Sequence, residues 1–412
     1  MTFLPPAAAP INAAERRARI QVLAARLKGQ GTAALLLGPT ASLRYYTGLD
    51  WHPSERLTGA LIHADGRVEY VCPRFELDKV AGLTAAPNAI AGDILTWEEE
   101  ESPYALAVGR LPEGGVLAVD DQAAAFIWLG LSRALGAERV IDGAPLILAQ
   151  RSLKSPAEIA LLTRAKAITL EVQRRTRRWL KTGVRTSEVM AFIDAEHRVL
   201  GGEGGSWFCL VSFGEDTCLP HGGEGGSWFC LVSFGEDTCL PHGGEGDRAL
   251  QADDVVLIDT GTLVDGYHSD ITRTYVFGEP TDDFRRVWAH EKEAQARAFA
   301  AARLGAPCHS VDDAARGYLT GLGYGPDYRL PGLPHRTGHG IGLDIHEAPN
   351  LVRGDATPLA PGMCFSNEPM LVIPGRFGVR LEDHFYMTEG GPVWFTEPSH
   401  SLDDPFGEGA SA

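Results

Sequence analysis

The chain has 412 residues, with 54 acidic and 37 basic side chains, a formal net charge of −17 and 44% hydrophobic residues. That length suffices for two ordinary domains or one large one, with a sizeable core. So acidic a surface repels nucleic acid and anionic membrane, and no apolar run is long enough to span a bilayer, so neither is an expected partner.

The first stretch, MTFLPPAAAPINAAERRARI, has neither the basic start nor the apolar segment of a secretion signal, and a cytoplasmic protein is expected. Residues 13–30 predict an amphipathic helix, followed by an apolar strand, TAALLLG. A hairpin-like stretch follows, GALIHADGRVEYVCPR, with Asp65-Gly66 as its turn. Glu98–Glu101 ahead of Pro103 read as a solvated loop or helix start, because adjacent side chains do not converge on one ion. Strand and helix signals alternate through GGVLAVD and AAFIWLGLSRALG, so residues 1–150 are expected to form a small α/β domain without a cofactor fingerprint.

A second domain, α+β in class, is expected over 151–412. Its first helix is announced by Ser155-Pro156-Ala157-Glu158, which supplies N-cap, Pro and Glu where a helix start needs them. Another helix, TSEVMAFIDAEHRVLG, leads into GGEGGSWFCLVSFGEDTCLPH at 201–221. The same twenty-one letters recur at 222–242 without one substitution. Two identical copies are not a solenoid, which needs several diverged units. They read as a recent local duplication or a sequence error. The duplication accounts for four of the seven Cys (Cys209, Cys218, Cys230, Cys239), and these lack the CxxC pairs of a zinc site. Reduced, mostly buried thiols are expected. After the repeat come strand pairs, VVLIDTGTLVDGYHSDITRTYVFG and MCFSNEPMLVIPGRFGVRLEDHFYMTE, with helices expected between them at 282–305 and 309–322.

The strand pairs carry the chemistry. Asp265-Gly266 is a two-residue turn signal, and pairing across it puts Val264 opposite Tyr267 and Gly261 opposite Asp270. Asp259 then lies two positions along the same face as Asp270. In the second pair, Glu368 of SNEP and Glu382 of VRLED flank IPGRFG symmetrically about Gly375 and share a face. Carboxylates among Val, Leu and Ile are costly unless something positive sits between them. Between the pairs lies HRTGHGIGLDIHE, with His335, His339 and His346. Any one of these residues is more often a surface Asp or a satisfied core His. Four carboxylates and a His in two symmetric hairpins outweigh that reading and suit two divalent ions of the Mn²⁺, Co²⁺ or Zn²⁺ kind, about 3.5–4 Å apart. GHGIG lacks the strand and helix context of a dinucleotide loop, HEAPN is not HExxH, and GGEGG has no following Lys-Ser/Thr.

These motifs resemble the pita-bread metallopeptidases of the proline-specific branch, Xaa-Pro dipeptidase (prolidase) and aminopeptidase P. The resemblance spans nearly the whole chain and rests on D-x10-D, GHGIGLDIHE, SNEP and GVRLED, with the KSPAEI junction also fitting. It implies a pita-bread C-terminal domain with a smaller creatinase-type N-terminal domain, and a homodimer. It implies that Asp259 holds one ion, Asp270 and Glu382 bridge both, and His339 and Glu368 hold the other. Glu368 would also be the general base, His346 would steady the oxyanion, His335 would help bind substrate and Arg380 would orient the carboxylates. The family also expects a His ending a PHG-like motif. His242 lies 17 residues before Asp259, as the pattern wants, and His221 lies 38 before it, so the second copy is expected to supply that His. The extra copy is read as functionally null or harmful.

A dipeptidase must hold the free carboxylate of the substrate proline. Some prolidases place an Arg four residues after the counterpart of His346, where this chain has Asn350. Arg56 in the stretch PSER is the candidate to replace it, against the alternative of a surface Arg paired with Glu55. Prolidase is the leading expectation and aminopeptidase P the alternative. Creatinase shares the fold without the two-metal ligand set. A pita-bread domain that only binds proteins would normally have lost metal carboxylates, none of which is missing here; an enzyme impaired by the duplication is a further reading.

Overall fold

A computed structural model describes residues 4–213, 230–231 (backbone only) and 247–407. The chain divides into two compact units, Pro10–Arg151, and Met1–Ala9 together with Ser152–Ala412.

In the unit 10–151, helix α1 (Ala13–Gly29) begins where the Asn12 side chain accepts the Glu15 N–H. Strands β1 (Thr32–Leu37), β2 (Gly59–His63), β3 (Val68–Pro73), β4 (Asp93–Trp97), β5 (Val116–Val119) and β6 (Val140–Asp142) form a sheet in the order β4-β3-β2-β1-β5-β6. Helices α2 (Ala41–Thr47), α3 (Leu77–Thr84), α4 (Pro103–Val108), α5 (Ala125–Leu135) and α6 (Ala144–Arg151) connect them. The central strand β1 is apolar on both faces because it is buried on both, its alternate residues joining Leu61, Val71, Val119, Ile127 and Leu131 in the core. The β2–β3 turn contains the expected Asp65-Gly66 and takes one residue more. Ile62 pairs with Val68 and the His63 N–H meets the Arg67 carbonyl, so the loop has three residues, 64–66. Asp65 accepts the Arg67 N–H at 2.9 Å and Gly66 takes φ +86°, a combination that favours the longer loop. Glu98–Glu101 are exposed, just ahead of Ser102, which caps α4.

In the other unit, α7 (Pro156–Trp179) opens on a complete capping box between Ser155 and Glu158, followed by α8 (Thr186–Leu200). Strands β7 (Phe208–Phe213), β8 (Cys230–Leu231), β9 (Asp254–Gly261), β10 (Leu263–Val264), β11 (Tyr267–His268) and β12 (Ile271–Phe277) come next. Then follow α9 (Asp282–Ala301) and α10 (His309–Gly321). The rest is β13 (Gly338–Gly340), β14 (Glu347–Leu351), β15 (Cys364–Asn367), β16 (Met370–Ile373), β17 (Phe377–Arg380), β18 (Asp383–Thr388) and β19 (Gly391–Trp394). The described strands make one sheet ordered β12-β9-β7-β8, another ordered β14-β13-β15-β18-β19, and the small ribbons β10-β11 and β16-β17. Ile168 and Val172 of α7 with Val189 and Ile193 of α8 bury against Val211, Val256 and Ile258. Phe284, Val287 and Trp288 of α9 with Val311 and Ala315 of α10 bury against Phe365, Val379 and Phe385. Two sheets, each backed by two helices, thus frame the strands that carry the acidic residues.

The duplication shows in this frame. Strand β7, from the first copy, pairs antiparallel with β9, placing Leu210 beside Asp259. Strand β8, from the second copy, lies parallel to β7 with Cys230 beside Cys209, letter against identical letter. The described Cys side chains, Cys72, Cys209, Cys308 and Cys364, are all buried. No helix among the described residues is long and apolar enough to cross a membrane.

Candidate metal centre

Turn chemistry sets the register of the acidic strands. Asp265 and Gly266 both have positive φ, +47° and +76°, as a type I′ hairpin requires. One register then runs from Val264–Tyr267 through Leu263–His268 to Thr260–Ile271 and Asp259–Thr272. Asp259 and Asp270 therefore stand two positions apart on one face. The second hairpin turns about Gly375, at φ +67°, and its pairs Ile373–Phe377, Met370–Arg380 and Asn367–Asp383 bring Glu368 level with Glu382. The hairpins are tied together where the Glu382 N–H donates to the Thr272 carbonyl. His339 arrives on β13, between glycines that permit close approach. A Cβ on Gly338 would lie 2.2 Å from the Ser366 carbonyl oxygen, and one on Gly340 would lie 2.3 Å from that of Glu347.

The structure brings Asp259, Asp270, His339, Glu368 and Glu382 into one buried cluster, none more than 3% exposed. His339 Nε2 is 3.1 Å from Glu368 Oε1 and 3.8 Å from Asp270 Oδ2. Potential donor atoms of His339, Glu368 and Glu382 lie within 4.8 Å of one another, as do those of Asp270, His339 and His346. Arg380 donates to Asp259 Oδ2 at 2.6 Å and, through Nε, to the Thr272 hydroxyl at 3.0 Å. That hydroxyl donates to Glu382 Oε2 at 2.8 Å. One guanidinium and one threonine thus orient a carboxylate from each hairpin.

Burial, then the neighbouring Glu382, Asp259 and Glu368, pushes the Asp270 carboxyl well above the ordinary range. Burial, then Glu368 and Asp259, does the same to Glu382. For Arg380, burial opposes the charge, but Asp259, Glu382, Glu368 and Asp270 together raise its pKa. So dense an acidic cluster calls for more positive charge than one Arg. The donor set fits divalent ions. Among the described residues, Asp270 Oδ1, Glu382 Oε1 and His339 Nε2 are buried without a hydrogen-bond partner, though each faces the cluster's other donors.

The remaining expected residues are spread more widely. His346 is half-buried with its ring 4.1 Å, edge to face, from that of His339. His335 is half-buried and its Nδ1–H donates to the Arg336 carbonyl. His221 and His242 lie outside the described residues. Arg56 belongs to the other unit, where it pairs with Glu55 and, at 2.9 Å, with Glu99. Arg353, three residues beyond Asn350, is exposed and paired with Asp327 at 2.7 Å.

Three neighbours escaped the sequence reading. Thr272 and Ser366 are ordinary strand residues by type, yet the Ser366 hydroxyl donates to Glu368 Oε1 at 3.0 Å and accepts the His339 N–H at 2.8 Å. His384, fully buried, groups with Asp270 and Glu382. Period two was the available signal, since in RLEDH it sets His384 on the face of Glu382. Burial, then Lys166, holds the His384 pKa well below its usual value, and Lys166 itself is brought to about 7 by burial.

Comparison with known proteins agrees with this geometry. Residues 160–389 match the model of metallopeptidase family M24, and residues 19–153 match the creatinase/prolidase N-terminal domain. The probable dipeptidase PepE of Mycobacterium tuberculosis is 35% identical over 386 residues, covering 93% of this chain and 95% of that protein. The Xaa-Pro dipeptidase of Lactobacillus helveticus is 30% identical, covering 88% and 92%. The crystal structure of dipeptidase PepE from Mycobacterium ulcerans superposes with a TM-score of 0.83 at 32% identity, covering 96% of this chain and 99% of that one. The chain therefore belongs to metallopeptidase family M24, with a creatinase-type N-terminal domain followed in sequence by a pita-bread catalytic domain.

Proposed function

We propose that this chain hydrolyses the Xaa-Pro bond of dipeptides, using two divalent ions held by Asp259, Asp270, His339, Glu368 and Glu382. The observation that carries the reading is the burial of these five donors as one cluster against the buried Arg380. The names of the relatives support the dipeptide, and the Lactobacillus helveticus protein supports the proline. Four carboxylates with one imidazole favour Mn²⁺, with Co²⁺ and Zn²⁺ as alternatives. When bound, the ions acidify a water and polarise the scissile carbonyl.

The protein groups then have distinct tasks. Asp259 would hold one ion, His339 and Glu368 the other, and Asp270 and Glu382 would serve both. Ser366 fixes Glu368, whose carboxylate takes the proton of the attacking water. As the C–N bond breaks, that proton passes to the proline nitrogen, releasing the free amino acid and proline. His346 donates to the carbonyl oxygen while the carbon is tetrahedral. His335 and His242 contact the substrate.

A second reading, an Xaa-Pro aminopeptidase on longer peptides, is favoured by one observation. Position 350 is Asn, and the nearby Arg353 is already engaged by Asp327. Proline release from an Xaa-Pro dipeptide and from an Xaa-Pro-Yaa tripeptide, with Mn²⁺ and with chelator, tests both. Metal-dependent dipeptide cleavage is expected. Tripeptide preference would favour the second reading, and silence on both substrates from metal-loaded protein would overturn the assignment.

A further inference from the structure

We propose that His384 is an additional protein ligand to one of the two ions that Asp270 and Glu382 serve in common. This rests on the two-ion reading above and extends it to a side chain outside the five-residue set.

The backbone puts His384 in place. It follows Glu382 by two positions in extended chain, so both side chains leave the same face. Its ring is fully buried, and among the described residues neither Nδ1 nor Nε2 has a hydrogen-bond partner. A buried imidazole without a partner is costly, so its neighbours matter. Across the strand is Ser366, whose hydroxyl is committed to Glu368 and to the His339 N–H. What His384 does face is the carboxylate cluster. Its Nε2 is 3.9 Å from Glu382 Oε1, and its donor atom lies within 4.8 Å of those of Asp270 and Glu382. Two donors each about 2.1 Å from one ion can be at most about 4.2 Å apart, and the 3.9 Å between His384 and Glu382 fits within that limit. The rings of His384 and His339 are 6.4 Å apart, so the two imidazoles reach the cluster from separate positions. A second imidazole makes the donor set softer, so the site should prefer Co²⁺ or Zn²⁺ over Mn²⁺ more strongly than a single His would allow.

The test is Co²⁺ binding by the full chain, followed by calorimetry and by the visible absorption of the bound ion, which reports its ligands without catalysis. The parent is expected to bind two Co²⁺ ions. His384→Ala should lose at least tenfold in affinity for one of them and change the absorption of that ion alone, and imidazole added to His384→Gly should restore the band. His384→Gln, which keeps the bulk, guards against misfolding when compared with the parent by melting in chelator. Two ions bound by folded His384→Gln or His384→Ala with parental affinities and spectrum would overturn the inference and leave the five-ligand reading standing. A parent that binds no Co²⁺ would overturn both.

Discussion

Arg380→Met tests how the acidic cluster is held together. Arg380 and Asp259 are both fully buried, joined at 2.6 Å, and the guanidinium also braces Thr272. Methionine keeps much of the volume but leaves Asp259 without its cation. Removing one partner of a buried pair costs about 3–5 kcal/mol. For a unit of this size, each kcal/mol lowers Tm by about 2–4 °C, so the metal-free protein should melt on the order of 10 °C lower. Divalent ions would supply the missing positive charge, so with saturating Mn²⁺ the loss should be no more than half as large. Scanning calorimetry of parent and variant, in chelator and in Mn²⁺, gives the four values needed. Adding Asp259→Asn to the variant should recover part of the chelator-state loss, because the orphaned charge is then gone. A drop under 2 °C in chelator, or an equal drop with and without metal, would refute the reasoning that Arg380 is the standing counter-charge of this cluster.

Other predictions concern linkage and the repeat. His197 is fully buried between the Thr169 and Ser206 hydroxyls, and burial lowers its pKa to about 4. The unfolded chain therefore takes up the proton first: stability is complete above about pH 6.5 and is lost as pH falls towards 4, worth on the order of 3 kcal/mol. His197→Gln should flatten that part of the parent's melting curve between pH 7 and 4, and an unchanged acid dependence would contradict it. Glu291 has the opposite sign. Burial raises its carboxyl well above the ordinary range, so stability is complete below about pH 4.3 and falls as pH rises. Glu291→Gln should melt higher than the parent at pH 8 and equally at pH 4; a lower melt at pH 8 would show that the charged form is the one the fold uses. Deleting residues 222–242 gives the same chain whichever identical copy is removed. The shortened protein should release proline at least as fast as the parent, and slower release would mean the second copy contributes.

What could be read from the sequence was whatever turn chemistry fixes. Asp265-Gly266 demanded a type I′ turn, and the register that put Asp259 and Asp270 on one face followed from that dipeptide alone. The symmetry of Glu368 and Glu382 about Gly375 came from the same kind of counting. At Asp65-Gly66 the same dipeptide produced a three-residue loop, because the Asp65 side chain took the Arg67 N–H. Nothing in the letters distinguishes the two cases, since local side-chain bonding decides between them.

The partners of the cluster were hidden for a different reason. Thr272 matters because Arg380, at the end of β17, and Glu382, just beyond it, both meet its hydroxyl, and no local pattern shows that this far segment of the chain converges on it. His384 was within reach of period-two reasoning, but a His beside an Asp in a strand is usually a satisfied core or surface residue. Its full burial with both nitrogens unmet among the described residues is what separates it from that background. The duplication poses the same problem in reverse. Identical letters give identical propensities, so sequence cannot say which copy takes the place beside β9. In the structure, the first copy's β7 holds it and the second copy's β8 lies against β7. Spacing favoured the second copy as the source of the active-site His, whereas strand pairing seats the first copy next to Asp259. Both hold if the chain runs from β7 through the second copy before it returns to β9, which makes the shortened chain the direct comparison: it keeps one strand and one His, at the spacing of 17 residues to Asp259 that His242 has now.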